Sequence, residues 1–486
     1  MSGLLTTSLV FLPIAGALLL WLIPWPRLWA GSLATLIALV EVGLWIVALL
    51  DFDFEGGIQG EQRHAWFSDL GVSYHVGLYG FSFWLVGLTV VASAAAIAYA
   101  WWAGRDRPRA YFGLMLFLVG AVAGVFVAQD LILFYAFFEA MLIPLYVLIG
   151  VWGGAGRTKA TLTFVIYTMA GSLLMLAAIV VFGLHEGTFD LIDSGTSDSA
   201  WIFLGFLAAF VVKAPIFPFH GWLPLAYRES SPEVAAVLSG VVSKAAAYGF
   251  LRIAISKFPE PVSDFRTPIL VLAACGLVYG SVLAFRAPDL RGVIAYSSLA
   301  QMGLITLGLF AVNDLGLNGA VLQMVNHGLI SATLFLLAGG IERRAATGEL
   351  GRLGGMARGR PALATVLMTT GVITLAVPGS TAFAGEFAIL AGVFQTGWGY
   401  AVVGAVAIVL AAMYTLRLIS AVLHKSQGTA VTEAALDLRP AELGIVVPLV
   451  AILLVLSAWP AAITDRSFAA PFPNGGWTSY GQRGVP

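Results

Sequence analysis

The feature that most constrains this chain is its succession of apolar runs, each about as long as a bilayer is thick. A spanning helix needs about 20 predominantly apolar residues. Read by that rule, the sequence predicts fourteen spans, near 4–24, 30–50, 79–102, 111–128, 130–150, 161–184, 200–225, 233–256, 267–285, 291–312, 316–340, 362–396, 399–424 and 442–464. The runs are continuous rather than alternating, which predicts helices and not a barrel. The chain is 59% hydrophobic and 10% charged, against about 25% charged in a soluble protein. The expectation is an all-α polytopic membrane protein. No soluble domain is expected. The longest polar insertions are 51–78, 185–199 and 341–361, with a tail after 465.

Basic residues then orient the spans. Alternate loops carry sixteen Lys and Arg, among them Arg105, Arg107, Arg109, Arg228, Arg286, Arg291, Arg343 and Arg344. The opposite loops carry five: Arg63, Lys257, Arg266, Arg466 and Arg483. The richer set belongs inside, which puts both termini outside, as an even number of spans requires. The first residues lack a basic leader region and a small-residue cleavage site, so the first run is expected to be a retained helix.

Of the 25 Lys and Arg, only Lys213, Lys244, Arg252 and Arg417 fall inside spans. Buried acids are expected at Glu41, Glu139 and Glu386, and buried histidines at His220 and His327. A charge inside hydrocarbon costs at least roughly 2.5–3.5 kcal/mol, so such residues mark candidate ion paths. Two spans are also interrupted. The run ending at Lys213 is followed by Pro215 and Pro218, and the run from Thr365 by Pro378 and Gly379. Interrupted helices in corresponding positions are the sequence mark of a transporter with two repeated halves. The expected organisation is 1–110 (three leading helices), 111–256 (first repeat), 267–424 (second repeat, inverted because five spans is an odd number) and 442–486 (last helix and tail).

Glu139 is the only charge of its span. A packing hydrogen bond is the bland reading; pairing with Lys213 is the sharper one, since each charge makes the other tolerable. Lys244 lies among small residues, Ser243, Ala245–Ala247 and Gly249. Lysine can exchange a proton when buried, whereas arginine effectively cannot; a static ion pair is the alternative. His327 is flanked by Asn326, Ser331 and Thr333, which suits a hydrated relay as well as a satisfied core histidine. Glu386 follows the second break, and His220 lies in the first. Arg252 and Arg417 sit nearer span ends and suit structural roles, and Glu41 suits packing or partner contact.

Other chemistries find no support. There is no phosphate-binding P-loop, no dinucleotide-binding glycine motif, no HExxH and no basic nucleic-acid patch. A single cysteine, Cys275, excludes a disulfide framework, a thiolate zinc site and a cysteine-held iron–sulfur cluster. Energy must therefore come from an ion gradient or from a partner.

Several motifs carry a resemblance. Phe137-Phe-Glu-Ala-Met-Leu-Ile-Pro144, Val212-Lys-Ala-Pro215, Phe219-His-Gly-Trp-Leu-Pro224, Ser243-Lys-Ala-Ala-Ala-Tyr-Gly-Phe-Leu-Arg252, Ala295-Tyr-Ser-Ser-Leu-Ala-Gln-Met-Gly303, Val325-Asn-His-Gly328 and Gly385-Glu-Phe387 resemble the antiporter-like subunits of the proton-pumping NADH:quinone oxidoreductase, respiratory complex I. The Phe-Phe-Glu run followed by Leu-Ile-Pro favours the subunit M (chain 4) branch. The resemblance implies fourteen helices, two inverted five-helix repeats and a proton channel. In it Glu139 is the acidic partner, Lys213 the lysine of the broken helix, Lys244 the central relay, His327 part of the connecting axis and Glu386 the terminal carrier. It places the chain in the bacterial cytoplasmic membrane beside sister antiporter-like subunits. FMN, iron–sulfur clusters and quinone are expected in partner subunits, with no cofactor in this chain. One departure stands out: after Trp222-Leu-Pro224 the family usually continues Asp-Ala-His, and here the residues are Leu225-Ala226-Tyr227. The main rival is the related D-type component of a multisubunit sodium/proton antiporter. The equivalent subunit of a hydrogenase- or ferredoxin-linked complex and a purely structural scaffold are the others.

Overall fold

A computed structural model describes residues 1–432 and 435–469. The tail beyond, with Arg483, lies outside the described residues. Among the described residues, twelve helices are long and apolar enough to cross a membrane, and two shorter apolar helices, Ala200–Lys213 and Pro361–Thr374, accompany them. The protein is an all-α polytopic membrane protein. Proline opens many of the helices: Pro108, Pro232, Pro259, Pro361 and Pro440 each occupy the first turn, where the missing N–H has no intrahelical partner to lose.

Burial divides the helices into two kinds. Pro232–Ile255 and Asp314–Ala345 are enclosed on all sides, whereas Trp29–Asp51 and Trp398–Leu423 leave much of their apolar surface facing outward. The two central helices touch backbone to backbone. A Cβ built on Gly328 would lie 2.6 Å from the carbonyl oxygen of Gly240, and one on Gly240 would lie 2.9 Å from that of Gly328. In a bilayer, where apolar burial against lipid gains little, such close small-residue packing holds helices together.

Three interruptions of spans bear on the site, and each has a local cause. Ala200–Lys213 ends before Pro215 and Pro218, and the chain becomes helical again at Leu223–Glu229. Pro361–Thr374 ends before Pro378 and Gly379 (φ 95°), and Thr381–Thr396 follows, with the Ser380 side chain accepting from the Phe383 amide at 3.2 Å. The third falls in a span that the sequence predicts as continuous. Leu131–Ala140 and Leu142–Trp152 meet at Met141, because Pro144 has no N–H to offer the carbonyl of Ala140. The helix of Lys244, also expected to be regular, contains two wide i→i+5 turns, Leu238–Val242 and Phe250–Ile255. Such turns recur at functional sites.

The polar insertion at 51–78 is structured. Gln59–Phe67 and Val72–Leu78 form an antiparallel hairpin with Arg63 opposite His75. Gly71 (φ 69°) supplies the left-handed residue between them. His75 is buried, its Nδ1 against Asp190 and its Nε2 3.0 Å from Glu61. Arg63 reaches Asp193 at 2.6 Å and Asp190 at 3.3 Å. Burial by itself raises Asp190, but the hydrogen bond and charge of His75 outweigh it and hold the carboxyl below its ordinary range. The opposite end of the bundle is laced by other ion pairs: Arg105–Glu233, Arg228–Asp289, Arg291–Glu342 and Arg344–Glu442.

Candidate functional site

The site is built where the two enclosed helices cross. Lys244 is fully buried. Its Nζ donates to the Ser239 carbonyl at 2.7 Å, a carbonyl within the first wide turn, and lies 3.2 Å from Ser243 Oγ. The third contact is to the neighbouring helix, with His327 Nδ1 at 2.7 Å. None of the three partners is a carboxylate, and among the described residues no carboxylate lies within ion-pair distance of Lys244.

His327 is 4% exposed, and its Nε2 stands 3.1 Å from Ser298 Oγ. The ring therefore bridges two polar groups. A neutral imidazole donates from one nitrogen and accepts at the other. When Lys244 donates to Nδ1, the ring proton sits on Nε2 and is offered to Ser298. A proton taken at Nδ1 and another released at Nε2 moves charge across the ring. Ser298, Ser239 and Ser331 form a buried hydroxyl cluster, with Ser239 Oγ 2.7 Å from Ser298 and 2.6 Å from Ser331.

Glu386 lies beyond this cluster, on the helix that follows the second break. It is 2% exposed. Gln301 Nε2 donates to Glu386 Oε1 at 2.9 Å, and Gln323 Nε2 donates to Gln301 Oε1 at 2.8 Å. The other carboxyl oxygen, Oε2, has no hydrogen-bond partner among the described residues. A cavity of about 20 Å³ touches both His327 and Glu386, and its polar lining includes Ser297, Gln301, Gln323, Ser331, Thr374 and Tyr414. That is room for one water with several polar contacts, which is what a buried water requires. Asn326 fixes the break itself, donating to the Thr381 carbonyl at 2.8 Å and accepting from Thr381 Oγ1 at 2.7 Å.

The first half is arranged differently. Lys213 ends its helix, 2% exposed, and its Nζ donates to the Phe138 carbonyl at 2.9 Å while lying 3.9 Å from the Phe138 ring centre. Glu139 is near enough to act on Lys213 through space but does not close an ion pair with it, and it is only partly buried. The helix is interrupted at Met141, two residues beyond Glu139. His220 lies within the first break against Phe217 and Tyr279, ring centres 5.6 and 5.2 Å away. Its Nδ1 is buried without a hydrogen-bond partner among the described residues. Arg252 binds Gln129 Oε1 at 2.7 Å, and Glu41 is buried with neither oxygen hydrogen-bonded among the described residues.

The structure thus joins Lys244 and His327 directly and His327 and Glu386 through a cavity. It leaves Glu139, Lys213 and His220 outside that chain. Sequence reasoning missed Ser239, Ser298 and Gln301. Their signal was the spacing of polar residues in otherwise apolar spans: Ser298 and Gln301 are three apart, Gln323 and His327 four apart, and each pair shares a helix face.

Residues 128–412 match the family described as NADH:quinone oxidoreductase/Mrp antiporter, TM. The chain belongs to this family. NADH-quinone oxidoreductase subunit M of Rhodobacter capsulatus is 36% identical over 455 residues, covering 90% of this chain and 88% of that protein. Subunit M of Mycobacterium tuberculosis (strain ATCC 25618 / H37Rv) is 35% identical over 505 aligned residues, covering 93% and 90%. Among solved structures, a chain of respiratory complex I from Thermus thermophilus with bound NADH superposes with a TM-score of 0.87 at 32% identity, covering 96% of this chain and 98% of that one. A chain of the Mrp complex from Dietzia sp. DQ12-45-1b superposes equally well, TM-score 0.87, at 20% identity over 98% of both chains. The second likeness speaks for the fold alone. The antiporter-like family region contains every candidate relay residue from Glu139 to Glu386.

Proposed function

We propose that this antiporter-like chain is the M-type membrane-arm subunit of an NADH:quinone oxidoreductase, and that it carries protons outward through Lys244, His327 and Glu386. The observation that carries this reading is the 2.7 Å contact between Lys244 and His327, continued by a cavity that reaches Glu386. Two titratable groups on facing helices and a third across one water's width are the parts a proton relay needs. Identity favours the same reading over the sodium/proton antiporter: relatives at 31–36% include NADH-quinone oxidoreductase subunit M and NAD(P)H-quinone oxidoreductase chain 4, whereas the Mrp chain stands at 20%.

In this reading the twelve long helices and the two interrupted segments make fourteen spans, organised as 1–110, two inverted repeats at 111–256 and 267–424, and 442–486, with both termini outside. The chain lies in the bacterial cytoplasmic membrane. NADH, FMN, iron–sulfur clusters and quinone belong to partner subunits, and this chain has no redox step of its own. Glu139 acts on Lys213 through space, and the charge state of Lys213 biases the relay. Moving one charge against 100 mV costs about 2.3 kcal/mol, which the redox subunits supply. The test is NADH-driven proton uptake by vesicles holding the complex purified through a tag on this chain. Co-purification of NADH-oxidising subunits with uptake independent of sodium supports the proposal. Sodium-dependent proton exchange without such subunits overturns it.

A further inference from the structure

The first interruption leaves a short helix, Leu223–Glu229, close to the central helix of Lys244. It contains the stretch Leu225-Ala226-Tyr227, where the resemblance breaks down. Tyr227 is fully buried. Its ring packs edge-on to Phe335, centroids 5.7 Å apart, and to Trp222 at 6.2 Å. Its hydroxyl lies against the hydroxyls of Ser239 and Ser243, without closing a hydrogen bond of ordinary geometry among the described residues. Both serines are partners of Lys244: Nζ lies 2.7 Å from the Ser239 carbonyl and 3.2 Å from Ser243 Oγ. The residues that follow lead to the end of the bundle held by Arg228–Asp289 and Arg291–Glu342, the end with the excess of basic residues.

We infer that Tyr227 is a further relay residue, passing protons from that basic end to Lys244 by way of Ser243. A buried hydroxyl without a partner is costly, and such a group ordinarily finds a protein or water contact. Turning the phenol and Ser243 hydroxyls toward each other closes that contact and completes the path. A phenol both donates and accepts. It releases its proton toward Ser243 as it takes another from the basic end, so one O–H bond breaks as another forms and no phenolate is left. This supplies a role for the stretch that departs from the family: Tyr227 stands where the family usually has histidine, and each side chain can take a proton on one side and give one on the other.

The inference rests on the relay proposed above, and the experiment separates the two. Tyr227→Phe removes only the oxygen and keeps the aromatic packing. In vesicles with the intact complex, it is expected to lower NADH-driven proton uptake roughly tenfold, the rate cost of one lost hydrogen-bonded link, with normal assembly on native gels. Tyr227→His is expected to restore at least half of the parental uptake. Normal uptake by Tyr227→Phe overturns the inference, as does equal impairment of both variants or failure of Tyr227→Phe to assemble, which would make the hydroxyl structural. Lys244→Met is measured alongside. If it too pumps normally, the relay itself fails; if it is impaired while Tyr227→Phe is normal, only the role of Tyr227 falls.

Discussion

Lys244→Arg asks whether Lys244 must release its proton or need only be positive. The guanidinium keeps the charge and can donate to the same acceptors, the Ser239 carbonyl at 2.7 Å, Ser243 Oγ at 3.2 Å and His327 Nδ1 at 2.7 Å. The site is fully buried, so the extra atoms cost about 1–3 kcal/mol in overpacking, which a large complex tolerates. Proton release is another matter. A guanidinium with an ordinary value near 12.5 lies about five units above a working pH near 7.5, and at about 1.4 kcal/mol per unit its deprotonation costs roughly 7 kcal/mol. That is a factor of about 10⁵ in rate, so relay through Lys244 stops. The assay is dye-reported proton uptake by vesicles on NADH addition, with assembly checked on native gels. The expected result is an assembled complex without proton movement through this chain. Uptake within about twofold of the parent would mean that Lys244 acts as a fixed charge, and the relay argument would be wrong.

Other outcomes follow from the same geometry. Glu386→Gln keeps a side chain able to bond Gln301 but cannot carry a proton, so the complex is expected to assemble and lose outward transfer; retained proton uptake in vesicles counts against Glu386 as a carrier. Gly328→Ala places a Cβ 2.6 Å from the Gly240 carbonyl oxygen. It should push the helices of Lys244 and His327 apart and lower both proton uptake and thermal stability, the latter by about 1–3 kcal/mol; unchanged melting and uptake would show that the crossing has slack. Lys257, just beyond its span, donates to the Ser194 carbonyl at 2.7 Å; burial, reinforced by neighbouring Arg252, lowers it to about 7. Its folded value lies below its unfolded value, so the unfolded chain binds the extra proton and stability rises from about pH 7 toward pH 10, by at most about 1.4 kcal/mol per unit. Melting of the purified complex between pH 7 and 9.5 should therefore show a shallower rise for Lys257→Met, and equal slopes would refute the assignment.

Hydropathy made the all-α membrane fold legible because hydrocarbon imposes one strong rule on every spanning segment. The proline-marked breaks at 213–223 and 374–381 were legible for the same reason, since proline acts locally on its own helix. The break at Met141 was hidden by a single proline in an uninterrupted apolar run. The wide turns around Lys244 have no such local mark, and the first of them contains Gly240, which packs on Gly328 of a distant span. The hairpin at 59–78 was missed because its first strand, Gln59–Phe67, is mostly exposed and lacks the apolar alternation that marks a half-buried strand. In the site, Lys244, His327 and Glu386 stood out as charges that hydrocarbon penalises. Ser239, Ser298 and Gln301 did not, because an uncharged polar residue in a spanning helix is common and often satisfied by its own backbone. Nor could the sequence decide which acid faces which lysine. Glu139 and Lys213 are close, yet Lys213 is bound by the Phe138 carbonyl.

That last detail bears on how the two lysines communicate. Lys213 and Lys244 have no hydrogen-bonded link among the described residues, and the surfaces between their helices are aromatic. Phe210, one turn before Lys213, packs on Phe250 at 5.6 Å and on Phe134 at 6.2 Å, and Phe134 in turn stacks on Tyr248 at 6.4 Å, one turn after Lys244. Ring faces offer a proton neither a donor nor an acceptor of useful strength, so this layer is closed to proton hopping. It is not closed to the electric field. Apolar packing screens charge far less than water does, so the charge on Lys213, set by how closely Glu139 approaches, is felt at Lys244 without any proton passing between them. In the proposed relay the division of labour is then physical: one lysine biases, the other conducts. In that proposal Lys244 receives its protons from another direction, and the buried hydroxyl that faces its serine partners from the basic end is that of Tyr227.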